Sequence, residues 1–447
     1  MAKSQRINFS NKMAVVAAAA GSAVGLGNIW RFPYELGQSG GAAFLIIYLF
    51  FVVVIGMPLM MSEFVIGRMG QGNAVGAFKK IAPGKSWWLI GVMGVLTAFF
   101  IMGFYSVISG WTLEYIYQAV SNQFANKDTV ALSQAFTAFS SDTVRPLFWM
   151  AVFMIIAATI IILGVKDGIE KSTKFLMPLL LIIIIILGIR SITLPGGAVG
   201  LKYLFQPDFT KITPSVVLSA MGQAFFSLSL GMGCMITYGS YINVKNHLSH
   251  TVFEVTALDT LISVLAAIAI FPAVFAMGIN PAQGPELVFI TLPNVFAQIP
   301  GGYIWSILFF ILLCVAALTS AISLMEVVVA YLVEELKIKR IKTTILVSVV
   351  IMLLGVLASL SFGIWKDVHI FGMNFFDLFD NITSKVLMPI GGLMISIFTG
   401  WFLSKKRIKE EMSSYGKFST PYFRAFIFLV KYIAPLCILL VILHQIF

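Results

Sequence analysis

Gly21-Ser22-Ala23-Val24-Gly25-Leu26-Gly27-Asn28, running on through Ile29 into Trp30-Arg31-Phe32-Pro33, breaks the first apolar segment of this chain in its middle. Three glycines and a charge are a poor way to build a membrane helix. An intact span satisfies its backbone internally. A Gly-rich break frees N–H and C=O groups, which membrane depth tolerates only where they face protein or a water-filled cavity. A second apolar segment, in the other half of the chain, is interrupted in the same manner at Phe226-Ser227-Leu228-Ser229-Leu230-Gly231-Met232-Gly233. Paired interruptions at corresponding positions of two halves point to a transporter binding site near the bilayer midplane. Taken singly, either set of glycines would also suit close packing between helices; the matched pair favours binding.

Working outward, the whole chain reads as a membrane protein. Of its 447 residues 59% are hydrophobic and 11% charged, against about 25% charged in soluble domains, and the mean hydropathy is +0.96. Eleven spans of roughly 20 residues or more are read near 13–36, 42–67, 87–120, 145–164, 174–194, 214–241, 252–278, 302–335, 343–362, 374–403 and 421–446. The net charge of +11 does not imply nucleic acid, because its distribution is that of membrane loops. Lys3, Arg6 and Lys12 precede span 1; Arg68, Lys79, Lys80 and Lys85 lie between spans 2 and 3. Lys166, Lys171 and Lys174 follow span 4, Lys337, Lys339, Arg340 and Lys342 follow span 8, and Lys405, Lys406, Arg407, Lys409 and Lys417 follow span 10. All fall on one side. The opposite loops hold only Lys127, Arg145, Arg190, Lys202, Lys211 and Lys366, so the positive-inside rule places the N-terminus in the cytoplasm and the protein in the cell (inner) membrane. The basic start followed by Ala17 to Ala20 imitates a signal peptide, but the apolar run continues through the Gly-rich motif and the segment is expected to be retained. Cys234, Cys314 and Cys437 sit within apolar segments and no disulfide is expected.

The expected fold is an all-α integral membrane protein: an inverted repeat of two five-helix halves, spans 1–5 and 6–10, each opening with a broken helix, plus an eleventh span. An odd number of spans per half inverts the second half against the first. The corresponding units are 1–200, 201–410 and 411–447. The outer loop from about Asn280 to Pro300, with Pro281, Pro285, Pro293 and Pro300, is read as a lid dipping inward.

Four stretches together resemble the neurotransmitter:sodium symporter family, in its bacterial amino-acid-transporting branch. They are Gly21 to Pro33, Gly103 to Glu114 with Gly110-Trp111-Thr112-Leu113, Gly222 to Tyr238, and Ala316-Ala317-Leu318-Thr319-Ser320. The likeness runs from about Arg6 to the end of span 10. A broken helix offers N–H groups to an anion and carbonyls to a cation, as a zwitterion requires. The N–H groups of Leu26 and Gly27, with the Tyr105 hydroxyl, are expected to hold a substrate carboxylate. By resemblance, the ammonium would meet the carbonyls of Ala23, Phe226 and Ser227 and the hydroxyl of Ser229. The resemblance further implies two sodium sites. The first would use the Ala23 carbonyl, Asn28, Ser227, Asp259 and the substrate carboxylate itself. The second would use the carbonyls of Gly21 and Val24 with Ala316, Thr319 and Ser320. Read alone, Thr319 and Ser320 are more often ordinary helix hydroxyls bonding back to the preceding turn.

Ionisable groups at membrane depth are functional candidates. Arg31 and Asp380 resemble the family's outer gate pair, with Asp377 one turn earlier as a substitute acid. Arg6 and Glu334 resemble the inner pair, supported by Phe9 and Tyr241. Two positions depart from the pattern of the best-known members: Glu334 stands for Asp and Phe9 for Trp. Glu63 is assigned to satisfying backbone at the breaks, and Lys385, Glu326 and Lys431 to helix-end or interhelical roles. The side-chain pocket is expected from Ile101, Ile108, Phe226, Met232 and Leu324, with Ser22, Gly25 and Ser320 at its floor; it is apolar and lacks a charged group. Such stripes are also simply core.

These residues imply sodium-coupled symport of a hydrophobic or aromatic L-amino acid by a monomer or weak dimer in the lipid bilayer. Asp259 would make transport chloride-independent, because animal relatives carry a neutral Asn there and bind chloride nearby; here Ser263 lies one turn on. The alternative is a non-transporting amino-acid sensor on the same scaffold. No nucleophile elbow or metal-binding His pair lies in a span and no phosphate-binding Lys motif is present, so an enzyme or nucleotide-driven pump is not expected.

Overall fold

The computed structural model describes residues 8–125, 127–278 and 287–446. Nine helices in it are long and apolar enough to cross a membrane, and span 1 makes a tenth as the bent pair Lys12–Ala23 and Gly27–Gln38. The expected span 6 exists, divided into Pro214–Ser227 and Cys234–Gly239. The break leaves each piece too short to register as a span by itself. The others are span 2 (Ala42–Gly70), span 3 (Trp88–Val120), span 4 (Arg145–Ile162), span 5 (Val165–Ile192) and span 7 (Leu248–Ala276), followed by span 8 (Gly302–Leu336), span 9 (Arg340–Leu360), span 10 (Phe375–Phe402) and span 11 (Phe423–His444).

Span 5 begins well before the expected 174. The charges of Lys166 to Lys174 read as a loop, yet they lie on helix, where Asp167 pairs with Lys171 at 2.7 Å and Glu170 with Lys174 at 2.6 Å. Opposite charges four residues apart support a helix rather than end it. Helix starts elsewhere follow ordinary capping: the side chains of Asn11, Asn73, Thr213, Asn374 and Ser404 each accept a first-turn N–H.

The packing carries the inverted repeat. Span 1 packs on span 7, and span 6 on span 2. Span 3 packs on span 9, and span 8 on span 4. Span 5 packs on span 8, and span 10 on span 3, while spans 3 and 8, each other's mates, form the broadest contact. Every such contact therefore recurs with both partners moved five spans along. Span 11 lies outside this set against spans 10 and 6.

Of the outer loop, Pro281 and Pro285 fall outside the described residues. The remainder forms Leu287–Thr291 and Leu292–Gln298 and is buried at Leu287, Val288, Phe289, Leu292 and Val295. Phe289 packs edge-on to Trp30, Trp111 and Tyr115. This is the inward-dipping lid read from the prolines. Cys234, Cys314 and Cys437 are free thiols.

Candidate functional site

Each break follows from its own residues. Helix 1 stops at Ala23, Val24 turns extended (φ −73°, ψ 113°), and the chain resumes as a wide-turned helix at Gly27–Arg31, bent by 54° from the first piece. Pro33 falls inside that continuous piece, Gly27–Gln38, where the wide-turned helix passes into ordinary α-helix. Gly25 is obligatory: a Cβ there would run into the Ser320 hydroxyl and lie 3.1 Å from Tyr105 Oη. Helix 6 stops at Ser227, and Ser229 (φ 53°), Gly231 (φ 77°) and Gly233 (φ 77°) then turn left-handed. Ser229 is the costly one, since a non-glycine residue in this region carries about 1–3 kcal/mol of strain. It is held by its own hydroxyl, which donates to Ser22 O at 2.9 Å, and by its N–H on Phe226 O at 3.1 Å. Glu63, fully buried on span 2, accepts the Gly231 N–H at 2.8 Å through Oε1. This is the backbone-satisfying role read for it at span 6.

The two breaks face one another across a small cavity. Its wall comprises Ser22, Ala23, Gly25, Leu26 and Gly27 from span 1, Phe226, Ser227, Ser229 and Met232 from span 6, Ile101 and Tyr105 from span 3, and Ser320 and Leu324 from span 8. Ile108 is the expected pocket residue that the structure leaves out; it is buried two turns beyond Ile101 on span 3 but is not part of this wall. Leu26 N–H points at Tyr105 Oη at 3.4 Å, the donor pair expected for a carboxylate. Among the described residues no ionisable side chain other than Tyr105 lines the cavity.

Beside it lies an oxygen cluster. Asn28 Nδ2 donates to Ser227 Oγ (3.1 Å), Asp259 Oδ1 (2.7 Å), the Asp259 carbonyl (3.3 Å) and Ser263 Oγ (2.8 Å). Asn28 Oδ1 accepts from Gly25 N–H at 2.9 Å, and Ser227 Oγ donates to Asp259 Oδ2 at 2.8 Å. These are hard oxygen ligands of the kind alkali and alkaline-earth cations take. The Asn28 amide N–H here occupies the carboxylate oxygen that a cation would otherwise meet.

Sequence reasoning missed Tyr48, whose buried hydroxyl lies 3.4 Å from Ser227 Oγ; within Ala42–Phe51 nothing separates it from a packing aromatic. The second cluster brings Thr319 Oγ1 to Val24 O (3.3 Å) and Ala316 O (3.0 Å), and Ser320 Oγ to Val24 O (3.0 Å) and Ser22 O (3.3 Å). Thr319 also bonds back to Val315 O at 3.3 Å, the helix-hydroxyl pattern read for it, whereas Ser320 Oγ bonds across to span 1. Gly21 sits beside Thr319, its built Cβ position 3.4 Å from Thr319 Cβ. Among the described residues no group of His, Cys, Asp and Glu is arranged to hold a transition metal.

The gates are arranged differently from expectation. Arg31 forms no ion pair with Asp380 or Asp377; its guanidinium lies 4.4 Å over the Phe226 ring and its Nε 3.9 Å from Glu35 Oε1, one turn along the same helix. Arg6 lies outside the described residues. Glu334 accepts from the backbone N–H (2.8 Å) and side chain (3.1 Å) of Asn73. Phe9 packs edge-on against Tyr238 and Tyr241 and donates its N–H to Tyr241 O at 3.1 Å. Tyr241 Oη donates to Glu326 Oε1 at 2.7 Å, and Arg340 grips the same carboxylate with both Nη atoms while its Nε holds Ile161 O at 2.7 Å. Glu326 is thus the interhelical charge it was read as, but its partner Arg340 was counted only as a loop cation.

Two broken helices meeting at a closed pocket, flanked by oxygen clusters within a ten-span inverted repeat, define a secondary transporter that couples an organic solute to a cation. The model of the sodium:neurotransmitter symporter family matches residues 6–132 and 124–447. An uncharacterized sodium-dependent transporter of Bacillus subtilis is 39% identical over 446 residues, covering 100% of this chain and 99% of that protein. One of Haemophilus influenzae is 38% identical, covering 99% of each. The crystal structure of MhsT in complex with L-phenylalanine superposes with a TM-score of 0.91 at 45% identity, over 98% of this chain and 99% of that one. The chain belongs to the sodium:neurotransmitter symporter family: it is a multi-pass, sodium-dependent membrane symporter and not an enzyme.

Proposed function

We propose that this symporter imports a hydrophobic or aromatic L-amino acid by alternating access, with two sodium ions bound at the two oxygen clusters. The observation that carries the reading is the composition of the pocket wall. The Leu26 N–H and Tyr105 Oη are placed to meet a carboxylate, the backbone of both breaks borders the cavity where an ammonium would sit, and the rest of the wall is largely apolar with no charged side chain among the described residues. The binding of L-phenylalanine by MhsT supports the same class. The cavity, about 40 Å³, holds only a few water-sized groups, so a large side chain requires Met232 and Phe226 to move. Met is unbranched and adaptable enough to do so.

Asp259 supplies a fixed negative charge in the first cluster, and we assign chloride-independent transport to it. We also assign the protein to the inner membrane with its N-terminus cytoplasmic, as a monomer or weak dimer, with 1–200 and 201–410 as its two repeats and 411–447 appended.

The test is thermal stabilisation of purified protein by each of the twenty amino acids, in sodium and then in potassium, followed by uptake into vesicles with chloride replaced by gluconate. A ligand at 100 times its Kd adds about 2.7 kcal/mol of apparent stability. Phe, Tyr, Trp and Leu should stabilise in sodium, and uptake should persist in gluconate. Asp259→Asn should be inactive or newly chloride-responsive. A preference for glycine or charged amino acids contradicts the pocket reading, loss of uptake in gluconate contradicts the role of Asp259, and binding without uptake identifies a sensor.

A further inference from the structure

A groove of about 450 Å³ opens on the side of span 2 away from the substrate pocket, at the face of the membrane that carries the basic loops. Its body is apolar: Met57 and Met61 of span 2, Phe253 of span 7, and Ala425, Phe426 and Leu429 of span 11. Phe253 is 62% exposed there. Its polar groups gather at one end, in the first turn of span 7, where Ser249 and His250 line the mouth. Ser249 is only 7% exposed and its hydroxyl has no hydrogen-bond partner among the described residues. The same turn is the positive end of a 29-residue helix, which favours a bound anion.

The charge around it is mixed: Glu411, beside the lining residue Met412, is held by Arg68, Glu410 precedes it, and two cations lie close by in sequence. Arg424 lies between the lining residues Tyr422 and Ala425, and Lys417 adjoins Phe418, whose ring rests 4.4 Å from that of His247. Neither cation is in an ion pair among the described residues. Glu254, the carboxylate next to Phe253, is already engaged by Lys12 at 2.5 Å.

An apolar slot with an unsatisfied hydroxyl and a helix N-terminus at its mouth, and two unpaired cations close to the lining residues in sequence, has the chemistry of an amphiphile site. We propose that it binds an anionic glycerophospholipid, one acyl chain in the slot and the phosphate at Ser249, His250 and the first turn of span 7. A zwitterionic lipid carries the same phosphate but brings its own cation toward the two unpaired ones, so the site discriminates by net charge. The proposal does not depend on which substrate the transporter carries.

Delipidated full-length protein is offered phosphatidylglycerol, phosphatidylcholine with the same acyl chains, or inorganic phosphate, and lipid retention by native mass spectrometry is read beside the thermal midpoint. Phosphatidylglycerol should be retained about fivefold over phosphatidylcholine, the preference that ~1 kcal/mol from one basic side chain near an anionic lipid confers. It should raise the midpoint, and phosphate alone should not. Ala425→Trp, which fills the slot, and His250→Glu, which reverses the mouth at a helix position that favours an acid, should each abolish the preference with sodium-dependent substrate binding unchanged. Equal retention of the two lipids, stabilisation by phosphate alone, or a preference that survives both variants overturns the proposal. The wild-type comparison decides it alone should a variant not fold.

Discussion

One methyl group at Gly25 is enough to test how tightly the pocket is built. The Cβ of Gly25→Ala would occupy space held by the Ser320 hydroxyl and approach Tyr105 Oη to 3.1 Å, the two groups that border the carboxylate cradle and the second oxygen cluster. Neither can retreat without losing its bonds to Val24 O or Leu26 N–H. Gly25→Ala should therefore weaken sodium-dependent substrate binding by about tenfold or more, a loss of at least ~1.4 kcal/mol, in protein that still folds. Calorimetric titration checks this, and unchanged affinity would show that the cradle is elsewhere. Residues of this kind were legible in the sequence because the glycines and serines cluster at two matched breaks, which close helix packing alone does not require. Tyr48 and Arg340 were not, since an aromatic in an apolar span and a cation at a helix end are ordinary until a partner from another span comes beside them.

At the level of elements, both broken helices were legible, because Gly-rich breaks in apolar runs need no tertiary information. What keeps them open was only partly so. Span 6 depends on Glu63 from span 2, whose Oε1 takes the Gly231 N–H while its buried Oε2 has no partner. Glu63→Gln keeps the acceptor and replaces an oxygen that already lacks a partner, whereas Glu63→Leu orphans a buried donor at a cost of about 1–3 kcal/mol. The leucine variant should lower the thermal midpoint and the glutamine variant leave it close to wild type. Equal effects would mean that the carboxylate's charge, not its acceptor oxygen, matters. The start of span 5 was misread for a local reason: charge runs mark loops until their signs alternate every four residues, as Asp167, Glu170, Lys171 and Lys174 do.

On the scale of the whole molecule, the inverted repeat was inferred from two breaks alone, and the recurrence of interhelical contacts at a shift of five spans is what three-dimensional packing adds. The network around Glu326 was the least legible part, because it is assembled from four segments: Phe9, Tyr241, Glu326 of span 8 and Arg340 of span 9. Arg340→Gln leaves the fully buried Glu326 uncompensated and should cost about 3–5 kcal/mol, most of it recovered when Glu326→Gln is added. A double-mutant cycle in thermal stability measures this, and additive losses would show that the pair is not coupled. The account as a whole rests on one claim, that substrate and sodium are held at adjoining sites made from the same two breaks. Linkage then requires each ligand to tighten the other by the same factor. The direct measurement is substrate affinity against sodium concentration, with potassium making up the ionic strength, repeated as sodium affinity against substrate: the two factors should be equal and greater than one, and a substrate affinity that is the same in potassium as in sodium would contradict the account.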